Sequence, residues 1–360
     1  MTCVSEQRLA QQLPAVPFYC PVPPARHRSG EALNDRTVRW MRRQRLDQDE
    51  RQLKRLAVCD FGGLAASTMP YGRLEPLTLM AKLHAVLFSL DDGVCDESAA
   101  TADLMVQETS RIMRALEAPE ARSATDSPHT AALRGIRREL ERYASARQLR
   151  RLTEAMRVYT SGLVWEASWR SDARLPSIDD YVTLWMRAIG MAPSTAMIEI
   201  VGGFSVSDED LQDPRVQALT EITWTLVSWD NDLYSRNKEL ERAGDDLNLI
   251  DVVCQEQGCD PQRALVRVVA MRDRVMVLFD RLAAQVEAEA DDGLRRYVRG
   301  LGQFVRGHLD WASHCPRYTV SSGPRTPPGG WWKQQPADNS LEPLPIPTIA
   351  WWWDQLAPVR

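Results

Sequence analysis

Apolar side chains recur every three to four residues along most of the chain between residues 36 and 314. This spacing predicts amphipathic helices, and the scarcity of alternating apolar and polar positions gives little indication of strands. Proline and glycine interrupt the pattern at intervals, which predicts about ten helices in one α-helical body. Three of the apolar stripes consist of Leu79, Leu83, Val86, Leu87 and Leu90; of Leu219, Ile222, Leu226 and Trp229; and of Met271, Val275, Leu278 and Leu282.

Proline concentrates at the two ends of the chain: of 22 prolines, five precede residue 25 and nine lie at or after Pro316. Because proline breaks helices, we expect an N-terminal arm over residues 1–35, a helical domain over 36–320 and a tail over 321–360. The tail is also rich in tryptophan, since it contains Trp331, Trp332, Trp351, Trp352 and Trp353. We expect it to fold over a cavity mouth or to pack between subunits; contact with a membrane surface and disorder are the alternatives.

The overall charge excludes one class of partner. The 360 residues hold 44 Lys and Arg against 49 Asp and Glu, and the net charge of −5 argues against nucleic-acid binding. No apolar run is long enough to predict a membrane-spanning helix, and residues 1–15 lack the apolar core of a secretory signal. The seven cysteines are irregularly spaced and do not suggest a disulfide framework. We therefore expect a cytoplasmic protein. A homodimer is one assembly that it could form.

A first group of carboxylates follows a very apolar helix. Asp91 and Asp92 end the apolar run over residues 83–90, and Asp96 follows Asp92 by four residues, with Glu97 next to it. In a continuing helix, Asp92 and Asp96 would share one face, where unpaired carboxylates repel each other. A divalent cation, Mg²⁺ or Mn²⁺, is the usual partner for oxygen ligands at this density. The alternative is a solvated acidic surface, because the chain has three other adjacent Asp pairs.

A second group of oxygen donors lies about 140 residues later. Asn231, Ser235 and Glu239 are spaced by four residues, which places an amide, a hydroxyl and a carboxylate on one helix face. These three groups together suit one Mg²⁺ ion. The alternative is an ordinary solvated helix face on which Glu239 pairs with a basic neighbour.

The two groups together resemble the DDxxxD/E and NDxxSxxxE motifs of bacterial class I terpene synthases. The resemblance implies an all-α isoprenoid synthase bundle around a central apolar cavity. It also implies a carbon–oxygen lyase that ionises and cyclises a prenyl diphosphate and releases diphosphate. Three Mg²⁺ ions are expected, or Mn²⁺ in their place, with ligands from Asp91, Asp92, Asp96, Asn231, Ser235 and Glu239. Diphosphate contacts are implied for Lys238, Arg317 and Tyr318, the last two as a counterpart of the family's Arg-Tyr pair.

One position departs from the family pattern. The family places an arginine that senses diphosphate about 45 residues before the second motif, four residues ahead of a helix-breaking glycine. If that glycine is Gly190, the arginine position falls on Met186 or on Trp185. Arg187 is one residue away, about 100° around a helix. We expect either that Arg187 contacts the diphosphate in its place or that the sensing role is weakened.

Several aromatic residues are spaced so that they could line the cavity. Phe88 precedes Asp91 by three residues, Trp224 precedes Asn231 by seven, and Trp311 lies shortly before the Arg-Tyr pair. Aromatic faces there would stabilise a carbocation by cation–π contact; ordinary core packing is the alternative. His84 lies on an apolar stripe, and we interpret it as a core histidine.

Short strings suggest a substrate. Residues 19–21, 34–40, 95–97 and 231–235 are similar to bacterial 2-methylisoborneol synthases, which implies a C10 substrate, geranyl or 2-methylgeranyl diphosphate. A sesquiterpene cyclase that acts on C15 farnesyl diphosphate is the alternative. A head-to-tail prenyl elongation enzyme is disfavoured, because it would need a second aspartate-rich motif. A more distant alternative is a helical interaction protein without enzymatic activity.

Overall fold

The computed structural model describes residues 12–46, 54, 56–91, 102–171, 175–240, 247–318 and 326–357. These residues form fourteen α-helices and two strands of two residues each, with short 3₁₀ turns at Pro316–Tyr318 and Trp353–Gln355. The first seven helices are α1 (Gly30–Gln44), α2 (Phe61–Thr68), α3 (Leu74–Leu90), α4 (Ala102–Glu117), α5 (Pro128–Leu140), α6 (Ala146–Ser171) and α7 (Ile178–Ala188). The others are α8 (Met191–Gly202), α9 (Asp208–Gln212), α10 (Pro214–Leu240), α11 (Leu249–Gln257), α12 (Pro261–Glu289), α13 (Asp292–Ala312) and α14 (Pro347–Ala350).

Prolines that interrupt the apolar pattern begin helices. Pro128 and Pro261 stand in the first turn of α5 and α12, where a missing N–H removes no intrahelical hydrogen bond. The residue before each proline caps the helix: the Ser127 hydroxyl accepts from the Thr130 N–H, and the Asp260 carboxylate accepts from the Arg263 N–H. At these two positions, the proline and the capping residue before it therefore mark the start of a new helix.

The predicted all-α bundle is confirmed. Every residue of the three apolar stripes is buried except Met271, which is partly buried and packs against the core. The helices α3, α6, α10 and α13 surround a central cavity, and α2, α7 and α8 complete its wall. This arrangement brings together side chains that are more than 200 residues apart in sequence, and it forms the candidate site.

The two arms meet on the surface of the bundle. Strand β1 (Phe18–Tyr19) pairs in parallel with strand β2 (Trp332–Lys333). The helix α1 begins at Gly30 and runs across the boundary that we expected at residue 35. In the described tail, Trp352 is fully buried and its indole N–H donates to Glu221 at 2.9 Å. These parts of the arms therefore pack on the helices of their own chain.

The Trp-rich tail also contacts α7. The backbone N–H of Thr348 donates to Asp179 Oδ1 at 2.8 Å, and the Thr348 hydroxyl lies 3.1 Å from that of Thr183. The tail thus covers the outer side of a helix whose other side lines the cavity. Among the described residues, no helix is both long enough and apolar enough to cross a bilayer.

Candidate active site

The empty space in the central cavity, counted together with the open solvent at its mouth, is about 940 Å³. Charged side chains of its wall lie at or just beyond the C-terminal ends of helices: Asp91, Arg170, Lys238, Glu239 and Arg317. Asn231 lines the wall from α10, more than two turns before that helix ends. Apolar lining residues include Leu64, Leu87, Phe88, Val227 and Phe304. The cavity therefore combines a charged mouth with an apolar interior.

Two of the three predicted oxygen donors of α10 line the cavity, and the third is buried on the same helix. Asn231 and Glu239 line the cavity, and Ser235 lies between them on the same helix with no exposed surface. The buried Ser235 Oγ has no hydrogen-bond partner among the described residues, which is unusual for a buried hydroxyl. An amide oxygen, a hydroxyl and a carboxylate on one face fit a hard divalent cation. The residues present therefore fit the metal that the sequence predicted.

Neighbouring side chains orient two of these donors. The Asn231 amide nitrogen donates to the Tyr318 hydroxyl at 2.9 Å, so the Asn231 oxygen is the atom left to accept or to ligate. Asn248 donates from its side chain to Glu239 Oε2 at 3.0 Å and to the backbone oxygen of Asp232 at 3.2 Å. These hydrogen bonds fix the last turns of α10 before any ligand binds.

Asp232 points away from the cavity and anchors α10. Its carboxylate accepts from the Tyr181 hydroxyl at 2.7 Å, from the Trp185 indole N–H at 2.9 Å and from the backbone N–H of Leu249 at 3.3 Å. Burial raises the pKa of Asp232 well above its usual value, and the charge of Glu239 raises it further. The network connects α10 to α7 and to the start of α11.

Three of the four predicted diphosphate contacts converge at the mouth. Lys238 and Arg317 line the cavity, and Lys238 Nζ lies 5.9 Å from the ring centroid of Tyr318. The Arg317 guanidinium lies 5.1 Å from the ring centroid of Phe88. Burial raises the pKa of Tyr318, which therefore stays a neutral hydroxyl. Two cations and one hydroxyl are thus placed beside the α10 donors.

The first acidic motif is only partly described. Asp91 lines the cavity at the end of α3. Asp92, Asp96 and Glu97 lie outside the described residues, so their roles stay predictions. In the parts of the chain that are described, no group of three His, Cys, Asp or Glu side chains converges, and the α10 donors include Asn and Ser instead.

The sensor position on α7 holds no cation. Gly190 breaks the helix with φ 75°, as the resemblance implied. Trp185 lines the cavity, whereas Met186 is buried outside it and Arg187 is exposed. One residue turns the side chain by about 100°, and this carries Arg187 away from the cavity. The expectation that Arg187 contacts diphosphate therefore finds no support in its position.

Of the three predicted cavity aromatics, Phe88 lines the cavity, and Trp224 and Trp311 are not among the described lining residues. The indole N–H of Trp224 donates to the Thr195 hydroxyl at 3.0 Å, because α8 closes against α10 at that level. Trp311 packs edge-on behind Phe88 and donates to the Cys59 carbonyl at 2.7 Å. The aromatic lining residues that sequence reasoning missed are Tyr159, Trp185 and Phe304.

Two histidines, His84 and His308, line the apolar part of the cavity. His84 is buried, as expected of a core histidine, and it also borders the cavity. The Nδ1 atoms of His84 and His308 are buried and have no hydrogen-bond partner among the described residues. Burial lowers the pKa of His84 to about 3 and that of His308 to about 4. Both imidazoles are therefore neutral near neutral pH.

Arg170 is a further lining residue that the sequence did not predict. It lies in the last turn of α6, lines the cavity and forms a salt bridge of 2.8 Å with Glu166, four residues earlier. In the sequence, a Glu followed by an Arg at this spacing has the signature of an ordinary solvated helix pair. The burial of Glu166, whose side chain is 1 % exposed, is what distinguishes this pair, and burial is not visible in the spacing.

Comparison with known proteins agrees with this geometry. Residues 82–277 match the family model described as terpene synthase family 2, C-terminal metal binding. The chain belongs to the terpene synthase family. It is a bacterial class I enzyme of that family, which cyclises prenyl diphosphates with the help of divalent metal.

Individual relatives of this terpene synthase match along nearly its whole length. Bonnadiene synthase of Allokutzneria albata is 34 % identical over 96 % of this chain and 99 % of its own. (+)-T-muurolol synthase ((2E,6E)-farnesyl diphosphate cyclizing) of Streptomyces clavuligerus is 34 % identical over 93 % of this chain and 81 % of its own. The solved structure of the SVS_A2 protein from ancestral sequence reconstruction is 28 % identical, with a TM-score of 0.85 over 94 % of this chain and 98 % of that one.

Proposed function

We propose that this terpene synthase binds farnesyl diphosphate and cyclises it to a C15 terpene in a Mg²⁺-dependent reaction that releases diphosphate. The observation that carries the proposal is the row of oxygen donors on α10 at the mouth of an apolar cavity, with Lys238 and Arg317 beside it. The printed name of the T-muurolol synthase gives farnesyl diphosphate as its substrate. This favours the C15 alternative over the C10 substrate that the 2-methylisoborneol-synthase-like strings suggested.

The apolar interior also favours a longer chain. Behind the charged mouth, Leu64, Leu87, Phe88, Val227 and Phe304 form an apolar wall against which a prenyl chain can pack. Burying a methylene stabilises binding by about 0.8 kcal/mol, so five additional carbons contribute up to about 4 kcal/mol. That difference corresponds to roughly a thousandfold in affinity.

Each polar group at the mouth has a role in the proposed ionisation. Asn231, Ser235 and Glu239 would hold one Mg²⁺, and the aspartate-rich motif that begins at Asp91 would hold two more. The metal, when bound, acts as a Lewis acid that neutralises charge on the departing diphosphate. Lys238 and Arg317 donate charge-assisted hydrogen bonds to diphosphate oxygens.

The interior would protect the carbocation that ionisation leaves behind. Its apolar wall excludes water, and the aromatic rings of Phe88 and Phe304 in that wall would stabilise positive charge by cation–π contact. The neutral imidazoles of His84 and His308 add no positive charge that would repel the cation. This neutrality follows from their burial in the wall.

A substrate panel tests the proposal. Purified protein is incubated with Mg²⁺ and geranyl, 2-methylgeranyl, farnesyl or C20 geranylgeranyl diphosphate, and volatile products are analysed by gas chromatography and mass spectrometry. We expect cyclic C15 products from farnesyl diphosphate and none when EDTA removes the metal. A higher kcat/KM with any of the other three diphosphates would overturn the substrate assignment. Absence of product from all four would overturn the proposed activity.

A further inference from the structure

The helix that should provide a diphosphate sensor provides no positive charge to the cavity. In α7, all of whose residues are described, Arg187 is the one Lys or Arg, and it is exposed outside the cavity. Trp185 faces the cavity, but an indole has a single N–H, and that group donates to Asp232 Oδ1 at 2.9 Å. Trp185 therefore has no donor to offer a diphosphate.

Arg170 brings a positive charge to the same cavity from the neighbouring helix. It lines the cavity mouth from the last turn of α6, together with Lys238, Glu239 and Arg317. Its side chain is 19 % exposed, so the guanidinium reaches the cavity surface. A guanidinium is planar and always charged, and its fork of N–H donors matches the oxygens of a phosphate group.

Glu166 holds this guanidinium in place. Its Oε1 accepts from Arg170 Nε at 3.1 Å and from Nη2 at 2.8 Å. Because Glu166 is 1 % exposed, its charge is taken out of water, and the pair lies in an environment where charges interact more strongly than on the surface. A solvated helix pair would have both partners exposed, so this geometry indicates a guanidinium oriented by a buried carboxylate.

We propose that Arg170 donates hydrogen bonds to the diphosphate of the substrate and so supplies the cation that α7 does not provide. The inference rests on the diphosphate substrate proposed above. Arg170, Lys238 and Arg317 then approach the diphosphate from three separate elements: α6, the end of α10 and the turn that follows α13. Three cations placed around one group neutralise its charge as the bond to carbon breaks.

Binding of inorganic diphosphate tests the inference without turnover. Isothermal titration calorimetry in saturating Mg²⁺ compares wild type with Arg170→Gln, Arg170→Lys and the control Arg187→Gln. Since a hydrogen bond to a charged group is removed, we expect Arg170→Gln to raise the Kd by about 10- to 100-fold. Arg170→Lys should raise it less, because the charge is kept and the fork is lost. Arg187→Gln should leave the Kd unchanged.

Farnesol, which has the same apolar chain and no diphosphate, separates binding from folding. If Arg170 contacts diphosphate, Arg170→Gln weakens diphosphate binding and leaves the farnesol affinity unchanged. Equal weakening of both ligands, or no change in the diphosphate Kd, overturns the inference. Failure of the wild type to bind diphosphate with Mg²⁺ would instead overturn the proposed function itself, and the inference with it.

Discussion

Asp230 and Asp232 flank Asn231 on α10, and the two buried carboxylates are stabilised in different ways. Asp230 accepts from Arg272 Nε at 2.7 Å and from Nη2 at 3.2 Å, and both side chains are almost completely buried. Asp232 accepts from the neutral donors of Tyr181, Trp185 and Leu249. Asp230 is thus paired with a guanidinium, whereas, among the described residues, Asp232 accepts hydrogen bonds from uncharged donors only.

Asp230 and Asp232 hold α10 against neighbouring helices, whereas Asn231 between them faces the cavity. Successive side chains on a helix turn by about 100°, so Asp230 reaches α12, Asn231 reaches the cavity and Asp232 reaches α7 and α11. The two anchors fix α10 on both sides of the residue that is proposed to bind metal. Substitutions in the anchors should therefore change the free energy of unfolding, and substitutions on the cavity face should change turnover.

The largest effect is expected at the charged anchor. Arg272→Ala leaves Asp230 as a buried, unpaired carboxylate and should lower the free energy of unfolding by about 3–5 kcal/mol. Urea unfolding followed by circular dichroism measures this change. The matched control is Arg263→Ala, which breaks an ion pair with the exposed Asp260 and should cost less than about 1 kcal/mol. Similar losses for both variants would show that burial does not distinguish the two pairs.

On the cavity face of α10, a substitution should reduce turnover strongly and stability only slightly. Asn231→Ala removes a ligand oxygen and should lower kcat/KM for farnesyl diphosphate by about 10²–10³-fold, the range seen when one preorganised charge-stabilising group is removed. Its free energy of unfolding should change by no more than about 1.5 kcal/mol, the net value of the hydrogen bond to Tyr318. If Asn231→Ala is destabilised as much as Arg272→Ala, or keeps full turnover, then Asn231 does not act as a metal ligand separate from the residues that stabilise the fold.

The neutral anchor should give an intermediate loss of stability. Trp185→Phe removes one donor from the buried Asp232 and should destabilise the fold by about 1.5–3 kcal/mol if that carboxylate is ionised. Trp224→Phe removes a donor to the neutral hydroxyl of Thr195 and should cost about 1 kcal/mol. Urea unfolding of both variants gives the comparison. Equal costs would indicate that Asp232 is protonated in the folded state.

The pH dependence of stability tests a buried group in the cavity wall, His308, which is neutral in the folded protein. Burial lowers the pKa of His308 from 6.5 to about 4, so below about pH 6.5 the unfolded chain takes up a proton that the folded chain does not. Between pH 7 and pH 5 this residue should reduce the free energy of unfolding by up to about 2 kcal/mol. In His308→Phe the difference in stability between the two pH values should shrink accordingly. If that difference in stability between pH 7 and pH 5 is the same in His308→Phe as in wild type, the pKa of His308 is not lowered by burial.

The sequence predicted best what a single helix determines. Asn231, Ser235 and Glu239 share a face because their spacing alone places them there. Phe88 lies within the apolar run over residues 83–90, and Asp91 follows that run directly. The positions of these residues could be predicted without knowing how the helices pack against each other.

Features that depend on packing between helices were not predictable. Trp224 shares a face with Asn231, but α8 closes over it, and nothing in the spacing indicates how deep the cavity extends. The spacing of Glu166 and Arg170 is also that of a surface pair. Likewise, the pairing of β1 with β2 joins segments more than 300 residues apart, and neither has a strand pattern of its own.

The cavity face of α10 is proposed to bind the metal that drives loss of diphosphate. Ser235 tests it most directly, because its buried hydroxyl has no partner among the described residues and its removal costs the folded protein no described hydrogen bond. The measurement is release of diphosphate from farnesyl diphosphate as a function of Mg²⁺ concentration, in wild type and in Ser235→Ala. We predict that the variant unfolds like wild type but needs at least about tenfold more Mg²⁺, or has lost turnover. Identical Mg²⁺ curves, or release of diphosphate by either protein without Mg²⁺, would contradict metal binding by this face of α10.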